Sequence, residues 1–203
     1  MGNPSDFSSA SEYFWFNIAF YFLCAVEFLV WLFTSSRWAR HGERVKPDPS
    51  MWLLVFGWAG SVYLSLLLRS HAVPAEMQSL LLPHAFYFFG MVLLVGGAVL
   101  RAAAVWALKR AFTLNVQIAD GQRLITTGLY RFLRNPAYTG SILSLLGIAF
   151  CLRSALAPVA VLVLCAVCYG VRIRKEEKAL SGQFGAEFET YQKHTWRLFP
   201  GII

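Results

Sequence analysis

The residues best suited to chemistry lie in a basic, aromatic run at positions 128–140, G-L-Y-R-F-L-R-N-P-A-Y-T-G. Pro136 suits the first position of a helix, because it has no N–H to leave unbonded and its φ is already helical. Asn135 then falls at the N-cap, and positions 131–134 approach as non-helical chain. Two arginines and two tyrosines beside the positive end of a helix make an anion site in outline, able to hold a carboxylate and an aromatic ring. The same composition also suits a basic loop at a membrane surface with interfacial tyrosines. A second constellation is R-I-R-K-E-E, in which Arg172 and Glu176 stand four apart and share one helix face. It reads either as a surface ion pair or as a guanidinium and a carboxylate presented together beside the 128–140 run, and spacing alone does not choose.

Other reactive side chains offer little. Cys24, Cys151, Cys165 and Cys168 all sit in apolar runs and behave as small buried hydrophobes. Cys165-x-x-Cys168 has a redox or metal spacing but no second pair and no nearby histidine, so no metal site is expected. His41, His71, His84 and His194 are scattered one per segment. No phosphate-binding glycine loop and no G-x-S-x-G elbow is present.

The elements that must position these groups are membrane helices. Of 203 residues, 57% are apolar, 16% aromatic and only 14% charged, and the apolar residues gather in uninterrupted runs. The net charge of +7 needs no nucleic acid, since basic residues of a membrane chain collect on the cytoplasmic side against anionic lipid. The first 11 residues carry no Lys or Arg and do not form the charged start of a cleaved signal peptide, so the first helix is expected to be retained. Spans are expected at about 12–34, 51–68 and 84–108, then a short one at 137–152 and a fifth ending near Val171. Glu27 lies deep in the first, where an intramembrane carboxylate reads as functional by default, or equally as a partner of Arg101 in the third or as a protonated group bonded to a neighbour. Gly90, Gly96 and Gly97 allow close helix contact in lipid. Beyond the fifth span, 172–195 is charged and compatible with a surface helix broken near 182–185, followed by the apolar tail R-L-F-P-G-I-I.

Five spans with the N-terminus outside place all of the 18 basic residues except Arg69, Arg101 and Arg153 on the inner side. The expected architecture is therefore an all-α integral membrane protein, N-out and C-in, a single membrane domain over 1–203. Positions 1–111 supply the first three helices. The 128–140 run and the charged C-terminal segment then share the cytoplasmic face.

Taken in order, F-T-L-N-V-Q, L-I-T-T-G-L-Y-R-F-L-R-N-P-A-Y-T-G, a short hairpin, R-I-R-K-E-E-K-A-L, F-G-A-E-F-E-T-Y and R-L-F-P closely resemble the isoprenylcysteine carboxyl methyltransferase family of integral membrane enzymes. The resemblance covers about 112–200 and marks 112–203 as the cofactor-binding half. It implies S-adenosyl-L-methionine bound on the cytoplasmic side and a lipophilic methyl acceptor entering from the bilayer. By motif position it implies cofactor contacts at Gln117, Gln122, Arg123, Leu124, Ile125, Tyr130, Asn135, Pro136, Ala137 and Tyr138, and an acceptor-side catalytic pair, Arg172 and Glu176. One departure stands out: the family commonly has His where this chain has Asn135, which can cap and donate but cannot carry charge.

Methyl transfer from a sulfonium is an in-line displacement that mainly needs alignment and exclusion of water. A carboxylate acceptor is already ionised and needs no base, and Arg172 could orient it while Glu176 fixes the guanidinium. A thiol would have to lose a proton first, with Glu176 as the nearby base. A lipid amine is a further possible acceptor. An NADPH-dependent membrane reductase of the sterol reductase type, which carries a similar R-x-x-R-[HN]-P-x-Y segment, and a non-catalytic scaffold are the competing classes.

Overall fold

The computed structural model describes residues 4–38, 49–70, 74, 76, 80–108 and 124–201. Its main helices are α1 (Ala10–Trp38), α2 (Met51–Leu67), α3 (Ala85–Leu108), α4 (Pro136–Cys151), α5 (Ala157–Phe184) and α6 (Ala186–Lys193). Short 3₁₀ turns cover Pro4–Asp6 and Gly128–Arg131. The described residues contain no strand, only two isolated bridges, Leu81 with Ser154 and Leu133 with Trp196.

Ala10–Leu32, Ala85–Leu108 and Ala157–Phe184 are long and apolar enough to cross a membrane, whereas α2 and α4 are shorter at 17 and 16 residues. The surface fits lipid. Phe14, Trp15, Tyr21, Phe28 and Trp31 of α1, Phe88, Phe89 and Val92 of α3, and Leu162, Val163 and Val167 of α5 all point outward. Inward, α1 buries Phe16, Phe20, Leu23, Val26 and Val30 at helical spacing.

Side-chain pairings set the helix directions. Glu12 of α1 meets His84 and Tyr87, and Glu27 meets Arg101, so α1 and α3 run the same way. Gly90 faces Gly147 and Gly97 faces Gly140, so α4 runs back along α3. Ser61 of α2 lies 3.7 Å from the Cys165 sulfur of α5 while Gly57 packs on Cys168, so α2 opposes α5. Tyr138 near the start of α4 meets Arg172 far along α5, so α1–α5 alternate between two ends.

Helix α4 is the hub, buried along most of its length, and its alanine, serine and glycine content explains how. Lipid provides no hydrophobic drive between helices, so close backbone approach and interhelical hydrogen bonds must hold them. A methyl on Gly147 would fall 2.4 Å from the Leu94 nitrogen, and one on Gly97 would fall 2.5 Å from the Ser144 nitrogen. Both pairs of facing glycines are so close that a methyl on one reaches the other's carbonyl oxygen, and between them Ser144 Oγ donates to the Leu94 carbonyl at 3.2 Å. Gly96 differs from the expectation for it: no neighbour lies within 4 Å of a methyl there, and it faces outward.

The end away from the 128–140 run is stitched by polar contacts. Arg153, in left-handed geometry at φ 60°, accepts from Leu82 N at 2.7 Å, and its side chain donates to the Leu82 carbonyl at 3.0 Å and Ser8 Oγ at 3.0 Å. Tyr87 donates to the Glu12 carbonyl at 2.8 Å.

Two expected boundaries shift. Helix α1 runs to Trp38. More consequentially, α5 does not stop near Val171 but continues to Phe184, because R-I-R-K-E-E-K-A-L is made of good helix formers with nothing to break it. Gly182 lies within the helix, and the break comes at Gly185, whose φ of 49° suits glycine. Arg172 and Glu176 thus ride on one rigid rod.

Candidate functional site

The site forms where α4 begins beside α5. Arg172 Nε donates to Glu176 Oε1 at 2.9 Å and to the Tyr138 hydroxyl at 3.4 Å, while Arg172 Nη1 donates to Ser50 Oγ at 2.7 Å. Tyr138 in turn donates to Glu176 Oε1 at 2.7 Å, and its ring lies 5.7 Å from that of Tyr169. Burial separates the ion pair: none of the Arg172 side chain is exposed, against 24% for Glu176. A fully enclosed guanidinium is not a surface pair, and a charge so enclosed requires the partners it has. Of the two, Glu176 is the member within reach of a ligand. Tyr138, from the expected cofactor set, and Arg172 and Glu176, from the expected acceptor set, therefore belong to one hydrogen-bonded cluster.

A second cluster closes the same end. The Glu177 carboxylate receives Arg197 Nη2 at 2.8 Å, Arg197 Nε and Arg134 Nε at 3.2 Å each, and Asn135 Nδ2 at 3.4 Å. Arg134 also donates to the carbonyls of Gln192, at 2.9 Å, and Thr195. Thr139 Oγ1 donates to the Leu198 carbonyl at 2.8 Å. The R-L-F-P segment is thereby strapped across the start of α4, and Leu198 and Phe199 pack on the core. Removing Glu177 would leave the Arg134 guanidinium buried without its counter-charge, the costly way to break such a network.

Several sequence expectations are refined here. Pro136 does open α4 and Asn135 does hold the N-cap position, but the Asn135 side chain makes no capping bond. It turns instead to Glu177 and to the Arg197 carbonyl, at 3.2 Å. Arg134 is committed to the strap, which corrects the outline of two arginines gripping an anion, and Arg131 is exposed with its guanidinium 5.9 Å from the Phe132 ring centroid. A 3₁₀ turn covers Gly128–Arg131, so of the stretch expected to be non-helical only Arg131 departs, and 132–134 are non-helical as expected.

Tyr130 is buried and donates to the Ala104 carbonyl at 3.3 Å, and its own carbonyl accepts the Tyr191 hydroxyl at 2.7 Å. Burial pushes both phenols up, Tyr191 to about 12 with Arg134 pulling it partly back, so both remain donors at working pH. Pro136 and Ala137 are buried at the head of α4, while Leu124 and Ile125 are half-buried just before the 3₁₀ turn. Gln117, Gln122 and Arg123 lie outside the described residues.

Sequence reasoning passed over Ser50, Glu177 and Arg197. Glu177 had a signal in the doubled acid of R-K-E-E, since the neighbour of a helix residue points about 100° away and must find a different partner. Ser50 had only its place before α2.

A bundle of long apolar helices with an Arg–Glu–Tyr cluster beside the head of its central helix fits a class of integral membrane protein, and comparison with known proteins gives the family. The phospholipid methyltransferase family profile matches residues 85–187, and the chain belongs to that family. Among its relatives are a probable protein-S-isoprenylcysteine O-methyltransferase of Oryza sativa subsp. indica, 32% identical over 57% of this chain and 61% of that one, and protein-S-isoprenylcysteine O-methyltransferase A of Arabidopsis thaliana, 27% identical over 68% and 78%. The chain thus spans 61% of the length of the rice relative. Its fold is that of a eukaryotic intramembrane Ras methyltransferase, isoprenylcysteine carboxyl methyltransferase, with a TM-score of 0.69 at 19% identity over 97% of this chain and 70% of that one. The resemblance read from the motifs is borne out.

Proposed function

We propose that this protein is an S-adenosylmethionine-dependent membrane methyltransferase acting on a lipophilic acceptor, in the first place the carboxylate of an isoprenylcysteine-like molecule. The observation that carries the reading is the fully buried Arg172, held by Glu176, Tyr138 and Ser50 within the segments that resemble the isoprenylcysteine enzymes.

The donor set fits the cofactor. Glu176 is a partly exposed carboxylate that accepts the Tyr138 hydroxyl, and a cation is well received by a carboxylate. Tyr138 and Glu176 would hold it, with Leu124 and Ile125 as apolar contacts and Gln117, Gln122, Arg123, Tyr130, Asn135, Pro136 and Ala137 as the rest of the set named from the motifs. Bound there, S-adenosylmethionine supplies an electrophilic methyl group on a sulfonium. The chain's own part is positional. Glu176 and Ser50 hold opposite sides of the Arg172 guanidinium, so its plane is set before an acceptor carboxylate arrives. Burial keeps water out and strengthens each of these contacts.

One competitor has an observation in its favour: the family description points to phospholipids, hence to a headgroup amine as acceptor. An amine must lose a proton before attack, which would give Glu176 the role of base. Binding separates the broader classes. Purified protein in lipid nanodiscs is expected to bind S-adenosylhomocysteine and not NADPH. The reverse result would make it a reductase, and binding of neither would leave a scaffold.

The reading also puts the site end of the bundle in the cytoplasm, where the cofactor is made, with α1–α5 spanning and the N-terminus outside. A cysteine introduced at Ser70 is expected to react with an impermeant maleimide on intact cells, and one at Ser181 is not. Labelling at Ser181 would invert the orientation.

A further inference from the structure

Glu27 of α1 and Arg101 of α3 meet inside the bundle, where Arg101 Nη2 donates to Glu27 Oε2 at 2.7 Å. A strut between two helices would need no more than this. Burying two charges among apolar side chains is expensive, and a well-packed hydrophobic pair would hold α1 to α3 at lower cost. Arg101 makes a further contact that no hydrophobic residue could replace. Its Nη1 donates to the Ala137 carbonyl at 3.3 Å, in the first turn of α4. Its backbone lies against the same helix, for a methyl on Gly140 would fall 2.6 Å from the Arg101 nitrogen. The residue after Ala137 is Tyr138, whose hydroxyl meets Glu176 at 2.7 Å.

A continuous line of contacts therefore runs from α1 through α3 to the head of α4 and into the reacting cluster. Cys24 lies one turn from Glu27 on α1, and Tyr138 of α4 and Tyr169 of α5 lie near Arg101. None of these is a cation that could take the place of Arg101.

We propose that Glu27 and Arg101 are positioning residues for the transfer reaction: Glu27 aims the Arg101 guanidinium, and Arg101 holds the first turn of α4 at the depth where the Tyr138 hydroxyl reaches Glu176. The inference rests on the reading of Tyr138, Arg172 and Glu176 as the methyl-transfer site. It assigns to α1, which lies outside the matched family segment, a direct part in the geometry of that site.

The experiment compares three proteins in nanodiscs with wild type: Arg101→Lys, the exchanged pair Glu27→Arg/Arg101→Glu, and Arg172→Ala. Thermal midpoint, S-adenosylhomocysteine affinity, and kcat and KM for an N-acetylated farnesylcysteine are measured on each. The exchanged pair keeps opposite charges together but places at 101 a group with no proton to donate to the Ala137 carbonyl. It is expected to recover the wild-type thermal midpoint and yet lose about tenfold or more in kcat, with KM within about threefold, because misplacing a reacting group costs turnover. Arg101→Lys, the milder change, retains the charge but loses the fork that serves two acceptors at once, and is expected to lose kcat in the same pattern. A 3-fluorotyrosine at 138 gives a readout independent of turnover, since its ¹⁹F resonance is expected to move in Arg101→Lys as the contact with Glu176 loosens.

Turnover within twofold of wild type in Arg101→Lys, with an unmoved resonance, would reduce the pair to a strut and overturn the proposal. So would full kcat in a folded exchanged pair. Arg172→Ala keeps the two failures apart: if it abolishes transfer while the Arg101 variants stay active, only the positioning role falls, whereas full activity in Arg172→Ala removes the underlying site assignment.

Discussion

Arg172→Ala is expected to lower methyl transfer at least about 100-fold, roughly 2.7 kcal/mol of transition-state stabilisation, as when an orienting charge is taken from a reacting centre. The loss has two parts. The acceptor carboxylate is deprived of a fixed positive charge beside it, and the Glu176 carboxylate loses its counter-charge and is left with the Tyr138 hydroxyl. Because Tyr138 and Glu176 share a hydrogen bond with the same guanidinium, the effect is not expected to be confined to the acceptor. S-adenosylhomocysteine affinity is expected to fall as well, by a smaller factor than turnover. Arg172→Lys is the sharper variant. An ammonium restores charge but cannot reach Glu176, Tyr138 and Ser50 from one rigid plane, so it is expected to remain at least about tenfold impaired with a carboxylate acceptor. Turnover kinetics of the two variants on one acceptor check this, and recovery of most activity by lysine would mean that charge alone matters.

Gly147→Val is expected to be the most damaging single change to the fold. The methyl that any other residue carries would overlap the backbone of α3 at 2.4 Å from a nitrogen, where no side-chain rotation can relieve it. The two helices would have to part. That separation would break the Gly90 and Gly97 contacts and the Ser144 hydrogen bond together, and overpacking of this kind costs about 1–3 kcal/mol even where neighbours can yield. Gly96→Ala is the control, with open space around the new methyl and a gain in helix propensity of roughly 1 kcal/mol or less. Yield of monodisperse protein and its thermal midpoint in detergent separate the two: loss for Gly147→Val, no loss for Gly96→Ala. Equal behaviour would mean that the α3–α4 contact is not what holds the bundle.

The contrast between these glycines shows where sequence reading reaches its limit. Long apolar runs are a property of consecutive residues, so the apolar part of each of α1–α5 could be placed within a few positions, while the charged extension of α5 to Phe184 could not. The facing of Gly97 toward Gly140 and of Gly96 toward the outside depends on which side of α3 meets α4, and that is decided by residues 40 or more positions away. The same applies at the site. Arg172 and Glu176 stand one turn apart on a helix, and their pairing was legible from spacing. Ser50 comes from the other half of the chain, and no local pattern joins it to Arg172. The basic run misled for a related reason: Arg131 and Arg134 look equivalent in sequence, yet one is exposed and the other spends its donors on the C-terminal strap. The pairing of Glu27 with Arg101 was one of three open outcomes because charge alone does not say whether two spans adjoin. Asn135 holds its cap position by virtue of Pro136, but its side chain answers to Glu177, a tertiary partner that capping rules do not see.

The most direct measurement follows the product. Purified protein in nanodiscs is given methyl-labelled S-adenosylmethionine and an N-acetylated farnesylcysteine with a free carboxylate, and the labelled lipid product is treated with mild alkali. A carboxyl methyl ester hydrolyses and releases its label as volatile methanol, whereas a methylated amine or thioether does not. The account predicts lipid-soluble label that alkali releases almost completely, and none above background from Arg172→Ala. Label that survives alkali, or equal release from Arg172→Ala, would contradict it.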